Sequence, residues 1–198
     1  MGLPKMSLPF GPETMLARIV RLLSEVCAPI VVVTTGDQTL PPLPREVLYA
    51  HDQHRGRGPL EGLAAGLRAL PAEVPVAYVT GCDVPLLVPA FVRRMFDLLG
   101  DESAAVPVSD GFLHPLAAVY RRSVVDVVDQ LLLADRLRPT FLFDTVATRR
   151  VEERELVDVD PGLQTLKNVN HPAEYLEALK MAGLEPDPVI LRQLLQTG

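Results

Sequence analysis

One carboxylate in this sequence stands where a parallel sheet would present it to a ligand. Val76–Thr80 is an apolar run of strand length without alternation, which is typical of a strand buried on both faces. Gly81, Cys82 and Asp83 follow, and Pro85 prevents further regular pairing. Ligands of open α/β sheets bind beyond the carboxyl ends of the strands, so Asp83 is predicted to project into such a site. A lone carboxylate there suits a hard cation such as Mg²⁺ that also binds phosphate, whereas the plainer interpretation is a cap for the next turn.

Two other predicted strands also end in small or polar residues. Residues 30–33 are β-branched and apolar and lead into Thr35, and residues 47–50 lead into Asp52. If these strands are parallel, their carboxyl ends lie at one edge of the sheet, where ligands of this class of protein bind.

A glycine-rich loop with Arg55 and Arg57 then leads to Gly58 and Pro59. Proline is favourable in the first turn of a helix, and apolar residues follow at helical spacing. Free N–H groups at this helix start, together with two arginines, predict an anion site. The alternative is an ordinary flexible connection with solvated arginines.

Other chemically reactive side chains carry weaker signals. Lys5 is the only lysine before Lys167, so it is not part of a lysine-rich surface. His51 and His54 flank Asp52 closely enough to suggest a metal site, but two histidines on a loop without a thiolate are more often solvated. Cys82 is interpreted as a small buried side chain and not as a nucleophile.

Composition limits the class of protein. The chain has 198 residues, 48% hydrophobic content, two cysteines and a formal net charge of −6. It is therefore expected to form one folded domain, without a disulfide framework and in a reduced cytoplasmic setting. The acidic balance disfavours a nucleic-acid partner, and no apolar run approaches a membrane span.

The order of predicted elements favours an α/β fold. Helices are predicted over residues 13–26, 59–70, 89–99, 123–133 and 172–182, and strands over residues 30–33, 47–50, 76–80, 104–108 and 115–120. Ser123 is a predicted N-cap, and residues 145–152 and 156–159 could form short strands. The alternation predicts a three-layer sandwich with a mostly parallel, Rossmann-like sheet and an antiparallel addition.

Several short motifs occur together in an order that resembles one enzyme family. The family attaches GMP to the molybdenum cofactor (molybdenum cofactor guanylyltransferase, MobA-like), with the nucleotide-diphospho-sugar transferase type of fold. The matching segments are residues 1–9 and 10–16, Asp52 with Gly56 and Gly58-Pro59-Leu60, Gly62-Leu63, Cys82-Asp83-Val84-Pro85, His114-Pro115-Leu116 and Asn168-Val169-Asn170.

The beginning of the chain departs from the family pattern. The first strand and the Gly-Gly-x-Ser-x-Arg half of the signature have no counterpart in this sequence. We therefore expect an amino-terminally incomplete nucleotidyltransferase domain over residues 1–183, followed by a tail over residues 184–198 that could form a short helix. Because the first strand of this fold is expected near the sheet centre, its loss would expose two strand edges. A chain that begins at Met1 should then be unstable, dimerise or bind GTP poorly.

The resemblance implies transfer of GMP from GTP to the phosphate of molybdopterin, with release of pyrophosphate. It implies Mg²⁺ as cofactor and also allows a cofactor-delivery protein or a molybdoenzyme as partner. Asp83 would hold the metal, and Lys5 would neutralise triphosphate charge, the alternative being a solvated lysine. The implied nucleotide-binding residues also include Thr35, Asp52, Gly58, Pro59 and Leu60, and the implied substrate-binding residues are His114, Asn168 and Asn170.

Several of these implied roles have simpler alternatives. Asp52 would contact the guanosine part of GTP, or it could pair with an arginine of its own loop. The asparagines 168 and 170 could orient the second substrate or complete the metal shell, but asparagine is also a common turn residue.

Two other functions remain open. One is a related nucleotidyltransferase that uses CTP or a sugar phosphate, since the metal-binding aspartate would be shared. The other is a non-catalytic binding protein that lacks the phosphate loop.

Overall fold

A computed structural model describes residues 4–52, 54 and 56–196, with only the backbone described for residues 195 and 196. The strands are β1 (Pro9–Phe10), β2 (Glu13–Thr14), β3 (Val31–Thr34), β4 (Leu48–His51), β5 (Val76–Thr80), β6 (Ala104–Ser109), β7 (Phe112–Leu113), β8 (Ala117–Arg121) and β9 (Thr148–Glu152). The helices are α1 (Met15–Ser24), α2 (Pro59–Ala69), α3 (Pro89–Asp97), α4 (Val125–Leu133), α5 (Thr140–Phe143), α6 (Pro172–Met181) and α7 (Pro188–Gln196). Short 3₁₀ turns cover Lys5–Ser7, Arg122–Val124, Glu153–Glu155 and Gln164–Leu166.

The described strands form mixed sheets. β3 pairs with β4 in parallel, with Val31 opposite Leu48. A larger sheet has the order β5-β8-β6-β7, and β9 pairs in parallel with the opposite edge of β6, with Ala104 opposite Thr148. The pairs of β8 with β5 and with β6 are antiparallel. The α/β class predicted from the sequence is therefore confirmed, and the antiparallel addition is built around β8.

Helices cover both faces of these sheets. On one face α1 and α3 pack against β5 through Tyr78, and α1 also packs against Val32 of β3. On the other face α2 and α4 share a cluster with Ala77 and Val79 of β5 and with Val31 of β3. Because successive strand residues point to opposite faces, each strand contributes to both helix layers. The molecule thus has the three layers that the sequence predicts.

A cavity of about 640 Å³ lies between the two sheets. It is lined by residues of β3 and β5 and by α1 and α2. Among the described residues β3 pairs only with β4, and β5 only with β8. The two sheets are therefore separate at this point.

Local sequence signals explain the helix starts. Thr14 caps α1, since its hydroxyl accepts a hydrogen bond from the amide of Ala17 at 3.2 Å. Pro59 and Pro172 occupy the first turns of α2 and α6, where proline lacks only an N–H that the helix would leave unpaired.

Two of the predicted details are wrong. Ser123 does not cap a helix but lies in a 3₁₀ turn, and α4 begins at Val125 without a side-chain cap. Residues 156–159 form turns and not a strand, because the preceding residues Glu153–Glu155 close a 3₁₀ turn.

The last helix, α7, packs against the amino-terminal hairpin of β1 and β2. Leu194 is 3% exposed, and it shares a cluster with Phe10 and Tyr175. No helix among the described residues is long and apolar enough to cross a bilayer.

Candidate active site

Asp83 lies directly beyond the carboxyl end of β5, where the sequence predicts it. Its backbone carbonyl accepts a hydrogen bond of 2.7 Å from the amide of Val169, which ties the β5 exit to the late asparagine-containing loop. A Cβ on Gly81 would lie 2.5 Å from Oδ1 of Asp83, closer than real Cβ atoms approach another heavy atom. Glycine at position 81 therefore leaves room for the carboxylate to fold back over the end of the strand.

Lys5 bridges Asp83 and Asn170 at this point. Lys5 Nζ lies 3.4 Å from Oδ2 of Asp83 and donates a 2.6 Å hydrogen bond to Oδ1 of Asn170. The lysine and aspartate side chains are 32% and 22% exposed. Because an ion pair with this exposure is weak, both groups can exchange their partners for a charged ligand.

The backbone around Asn170 is held by an acid that follows it. The carboxylate of Glu174 accepts hydrogen bonds from the amides of Asn170 (2.6 Å) and His171 (2.9 Å). Together with the His171 side chain it forms a capping box at the start of α6. This cap fixes the loop that delivers the Asn170 side chain to Lys5.

A second acidic group lies at the end of β4. Asp52 donates its backbone amide to the carbonyl of Thr34 at 3.0 Å, which places it beside the exit of β3. Its Oδ1 is buried without a hydrogen-bond partner among the described residues. Burial, followed by the nearby charge of Glu61, raises the pKa of Asp52 above its ordinary value. A buried acceptor without a partner is suited to an N–H or O–H group of a ligand.

Glu61 lies close to Asp52, and it was not among the site residues predicted from the sequence. It is 5% exposed, and Oε1 accepts a 3.1 Å hydrogen bond from the amide of His54. The ring Nδ1 of His54 lies 3.2 Å from the same oxygen, while 64% of the His54 side chain is exposed. His54 therefore orders the loop after β4 through its two contacts with Glu61.

The backbone at the start of α2 adopts a conformation that favours the glycine of the Gly58-Pro59-Leu60 motif. Gly58 has φ of 76°, a left-handed value that glycine adopts readily, and it directly precedes Pro59. Leu60 was predicted to bind nucleotide, but its side chain is completely buried in the core. Leu60 thus anchors the helix, and only its backbone is available to a ligand.

The anion site predicted from two arginines is not formed by Arg57. Its guanidinium donates to the carbonyl of Leu132 and lies 3.4 Å from Oδ1 of Asp135. The guanidinium thus binds the carboxyl end of α4, because a helix end offers unpaired carbonyl groups and partial negative charge. Arg55 lies outside the described residues.

Three predicted site residues belong neither to the Lys5, Asp83 and Asn170 contact nor to the pair of Asp52 and Glu61. The hydroxyl of Thr35 donates to the carboxylate of Asp37 at 2.9 Å, just beyond β3. His114 lies between β7 and β8, and burial lowers its pKa, so the imidazole is neutral at pH 7. Asn168 is exposed on the loop before Val169, and Cys82 is exposed and not buried as predicted.

Asp83 is the residue best suited to hold a divalent cation. The described residues contain no group of three or more histidine, cysteine or acidic side chains that could enclose a metal ion. A single accessible carboxylate instead fits Mg²⁺, which commonly takes one or two protein carboxylates and completes its shell with water and substrate phosphates.

Glu174 was also missed, although the sequence contains a signal for it. A capping residue followed three positions later by glutamate is a recognised helix start, and His171 and Glu174 have that spacing. The signal for Glu61 is weaker, since an acid in the first turn of a helix is common.

A family model described as a MobA-like NTP transferase domain matches residues 1–148. A probable molybdenum cofactor guanylyltransferase from Mycobacterium avium is 32% identical over 186 residues, which cover 92% of this chain and 89% of that protein.

Solved structures show the same fold at lower identity. Molybdopterin-guanine dinucleotide biosynthesis protein A from Archaeoglobus fulgidus has a TM-score of 0.76 at 18% identity, with 92% of each chain covered. The 2-C-methyl-D-erythritol 4-phosphate cytidylyltransferase from Thermus thermophilus has a TM-score of 0.69 at 18% identity, with 91% of this chain and 95% of that chain covered. From the motif order, the fold and these similarities, the chain belongs to the MobA-like nucleotidyltransferase family.

Proposed function

We propose that this protein transfers GMP from GTP to the terminal phosphate of molybdopterin and releases pyrophosphate. The observation that carries the proposal is the contact of Lys5, Asp83 and Asn170 at the end of β5, which brings a cation, a carboxylate and an amide to one point. The similarity to a molybdenum cofactor guanylyltransferase supports the choice of substrates.

In the proposed reaction a phosphate oxygen of molybdopterin attacks the α-phosphorus of GTP. The bond from the α-phosphorus to the oxygen that bridges to the β-phosphate breaks, and pyrophosphate leaves with that oxygen. Such a displacement depends mainly on positioning and on neutralising negative charge.

Lys5 supplies part of this neutralisation. Its ammonium group is a compact charge on a flexible stem, so it can move from Asp83 and Asn170 to a phosphate oxygen over a short distance. Asn170 keeps the ammonium group at the end of β5 until the triphosphate arrives.

Asp83 would hold Mg²⁺ by its carboxylate. Such a cation would supply positive charge that offsets the charge of the phosphates. Gly81 matters for this role because it leaves the carboxylate free to take the orientation that the structure shows.

Asp52 and Gly58 would bind the nucleoside. The unpartnered Oδ1 of Asp52 can accept a hydrogen bond from an N–H of guanine or from a ribose hydroxyl. Because Gly58 has no side chain, a ligand can approach the start of α2 closely. His114 and Asn168 are proposed to contact the second substrate.

A CTP-dependent reaction is the second candidate. The shared fold with the cytidylyltransferase from Thermus thermophilus favours it, since the same strand ends would hold the phosphates of either nucleotide. The choice between them depends on the base contacts of Asp52.

The test is pyrophosphate release with Mg²⁺, molybdopterin and either GTP, CTP or ATP. We expect GTP to be used best, and Asp83→Ala to lower the rate at least about 100-fold, as loss of a group that stabilises transition-state charge does. Asp101→Ala, which changes an exposed aspartate in a turn, is the matched control and should retain the rate.

Equal rates for the Asp83 and Asp101 variants would remove the metal-binding role. A preference for CTP would support the second candidate. Absence of both turnover and Mg²⁺-dependent GTP binding in the unmodified protein would indicate a non-catalytic binding protein.

A further inference from the structure

Phe112 is an aromatic side chain that projects into solvent from a hairpin. It is 73% exposed, whereas the other five phenylalanines, all of them in the described part of the chain, are buried or half-buried. It belongs to the two-residue strand β7, where it lies opposite Ser109 of β6. A single exposed apolar side chain is common on protein surfaces, so its position in the fold decides what it can contact.

The turn that carries Phe112 is held in one conformation. Asp110 and Gly111 have φ of 51° and 80°, the left-handed values of a type I′ hairpin turn. The amide of Asp110 donates a 3.0 Å hydrogen bond to Oε1 of Glu153, and the Glu153 carboxylate also accepts a hydrogen bond from the hydroxyl of Ser109. The backbone of Phe112 is therefore fixed, although its ring is exposed.

Phe112 and His114 lie on the same face of this hairpin. Leu113, between them, packs on the other face against the core shared by α2 and α4. The amide of His114 donates a 3.0 Å hydrogen bond to the carbonyl of Pro107, so the chain still pairs with β6 at this residue. Because successive side chains of a paired strand alternate between its faces, the Phe112 ring and the neutral His114 imidazole form one surface.

This surface lies beside the end of β5. Both β5 and β6 are antiparallel to β8, so they run parallel to each other and their carboxyl ends share one edge of the sheet. Thr80 of β5 is opposite Ala117, whose amide donates a 3.0 Å hydrogen bond to the carbonyl of His114. With one strand between them, β5 and β6 are about 10 Å apart. Phe112 is thus displaced sideways from Asp83 by about this distance.

The proposed nucleoside site lies on the other side of Asp83. Asp52 lies at the exits of β3 and β4, across the cavity from β5, whereas the hairpin of Phe112 lies across β8. A GTP molecule that contacts Asp52 and places its phosphates at Lys5 and Asp83 leaves the β8 side of Asp83 open. The second substrate must approach the α-phosphorus from that side.

We propose that Phe112 stacks on the pterin ring of the second substrate and thereby selects a flat fused ring. The inference rests on the proposed function, which places the phosphate of molybdopterin at Asp83 and Lys5. The spacing of about 10 Å between β5 and β6 is comparable with the separation of phosphate and ring in that molecule. Flat heteroaromatic rings stack on aromatic side chains in an offset arrangement, and an exposed ring with a fixed backbone is ready for this contact.

The kinetic test measures the KM values for molybdopterin and for GTP in pyrophosphate release. We expect Phe112→Ala to raise the KM for molybdopterin about tenfold, as loss of a ring stack does, while the KM for GTP stays the same. Phe112→Trp keeps an aromatic face and should restore the KM for molybdopterin. Leu133→Ala is the matched control, since Leu133 is 80% exposed at the end of α4. Equal KM values for molybdopterin in the Phe112→Ala and Leu133→Ala variants would overturn the proposal.

A binding test does not depend on turnover. The sequence contains no tryptophan, so Phe112→Trp introduces a single fluorescent reporter. Molybdopterin added without GTP should quench it more strongly than it quenches Leu133→Trp, which corrects for light that the pterin absorbs. Equal quenching in the two variants would overturn the proposal, and stronger quenching of Phe112→Trp by GTP would assign the surface to guanine instead.

The two tests separate this inference from the proposed function. Specific quenching of Phe112→Trp by molybdopterin, without pyrophosphate release by the unmodified protein, would support the stacking contact and refute the proposed reaction. Pyrophosphate release with an unchanged KM for molybdopterin in Phe112→Ala would support the reaction and refute the stacking contact.

Discussion

Replacing Gly81 by alanine should damage the site without destabilising the fold. Gly81 lies between the end of β5 and Asp83 and does not have a positive φ, so its backbone suits alanine. The new Cβ would lie 2.5 Å from Oδ1 of Asp83, whereas ordinary contacts begin near 3.4 Å. The carboxylate must therefore rotate away by about 1 Å or more, which also removes it from Lys5.

The expected effects on stability and activity have opposite directions. Alanine in place of glycine at a compatible backbone position stabilises a protein by about 0.4–1 kcal/mol, because the unfolded chain loses freedom. Rotation of the exposed carboxylate costs little. A displacement of a reacting group by about 1 Å can reduce a rate about 100-fold. We therefore expect Gly81→Ala to keep or slightly raise the midpoint of thermal unfolding and to lose about 100-fold in pyrophosphate release.

The assay pairs thermal unfolding with pyrophosphate release from GTP and molybdopterin. Gly162→Ala is the control, since a Cβ there would find its nearest neighbour, a flexible glutamine side chain, at 3.4 Å. It should likewise keep or slightly raise the midpoint of thermal unfolding, and it should leave the rate of pyrophosphate release nearly unchanged. If Gly81→Ala keeps its activity within threefold, the carboxylate orientation in the structure is not the one that acts. If it unfolds, the clash is with the backbone and the reasoning is also wrong.

Three further predictions concern separate parts of the molecule. Asp52→Asn should raise the midpoint of thermal unfolding at pH 7 and weaken GTP binding. Because the pKa of Asp52 is raised in the folded state, ionisation of Asp52 destabilises the fold at pH values above its ordinary pKa of 3.8. Thermal unfolding measured from pH 3 to 8 should therefore show that the stabilisation by Asp52→Asn vanishes below pH 3.8. Asn170→Ala removes the oxygen that accepts the 2.6 Å hydrogen bond of Lys5, and it should raise the KM for GTP about fivefold, as expected for an exposed charge-assisted hydrogen bond. Asn168→Ala should raise the KM less, and equal effects of the two substitutions would contradict the role of Asn170 in positioning Lys5. Thr165→Val should lower the free energy of unfolding, measured in urea, by about 2 kcal/mol, because the buried hydroxyl donates a hydrogen bond to Asp160 and accepts one from the amide of Val88. The affinity of the folded protein for GTP should stay unchanged.

The candidate site carboxylate Asp83 and the elements around it could be predicted locally. An unalternating apolar run, a glycine and a proline placed Asp83 at the end of a strand, and the structure has that strand at Val76–Thr80. The predicted burial on both faces is wrong, since all five residues are only partly buried. Proline in the first turn and apolar spacing likewise predicted the start of α2 at Pro59. These signals act within a few residues, so they do not depend on how the chain folds back.

Other side-chain contacts could not be predicted, because their partners come from distant parts of the chain. Arg57 was predicted to bind an anion, but it reaches the end of α4, about 75 residues later in the sequence. Leu60 lies within a ligand-binding motif, yet its side chain completes the core between α2 and α4. Glu61 was not noticed, since burial of an acid next to His54 depends on the path of the loop after β4.

By itself the sequence determined the α/β class, the strand that carries Asp83 and the family to which the motifs belong. Only the tertiary structure decided that Lys5 and Asn170, 165 residues apart, meet at that carboxylate. It also decided that β3 and β5 face each other across an apolar cavity. The physical reason is that local patterns fix which residues are apolar, extended or helical, whereas contacts between distant segments follow from burying those apolar faces together.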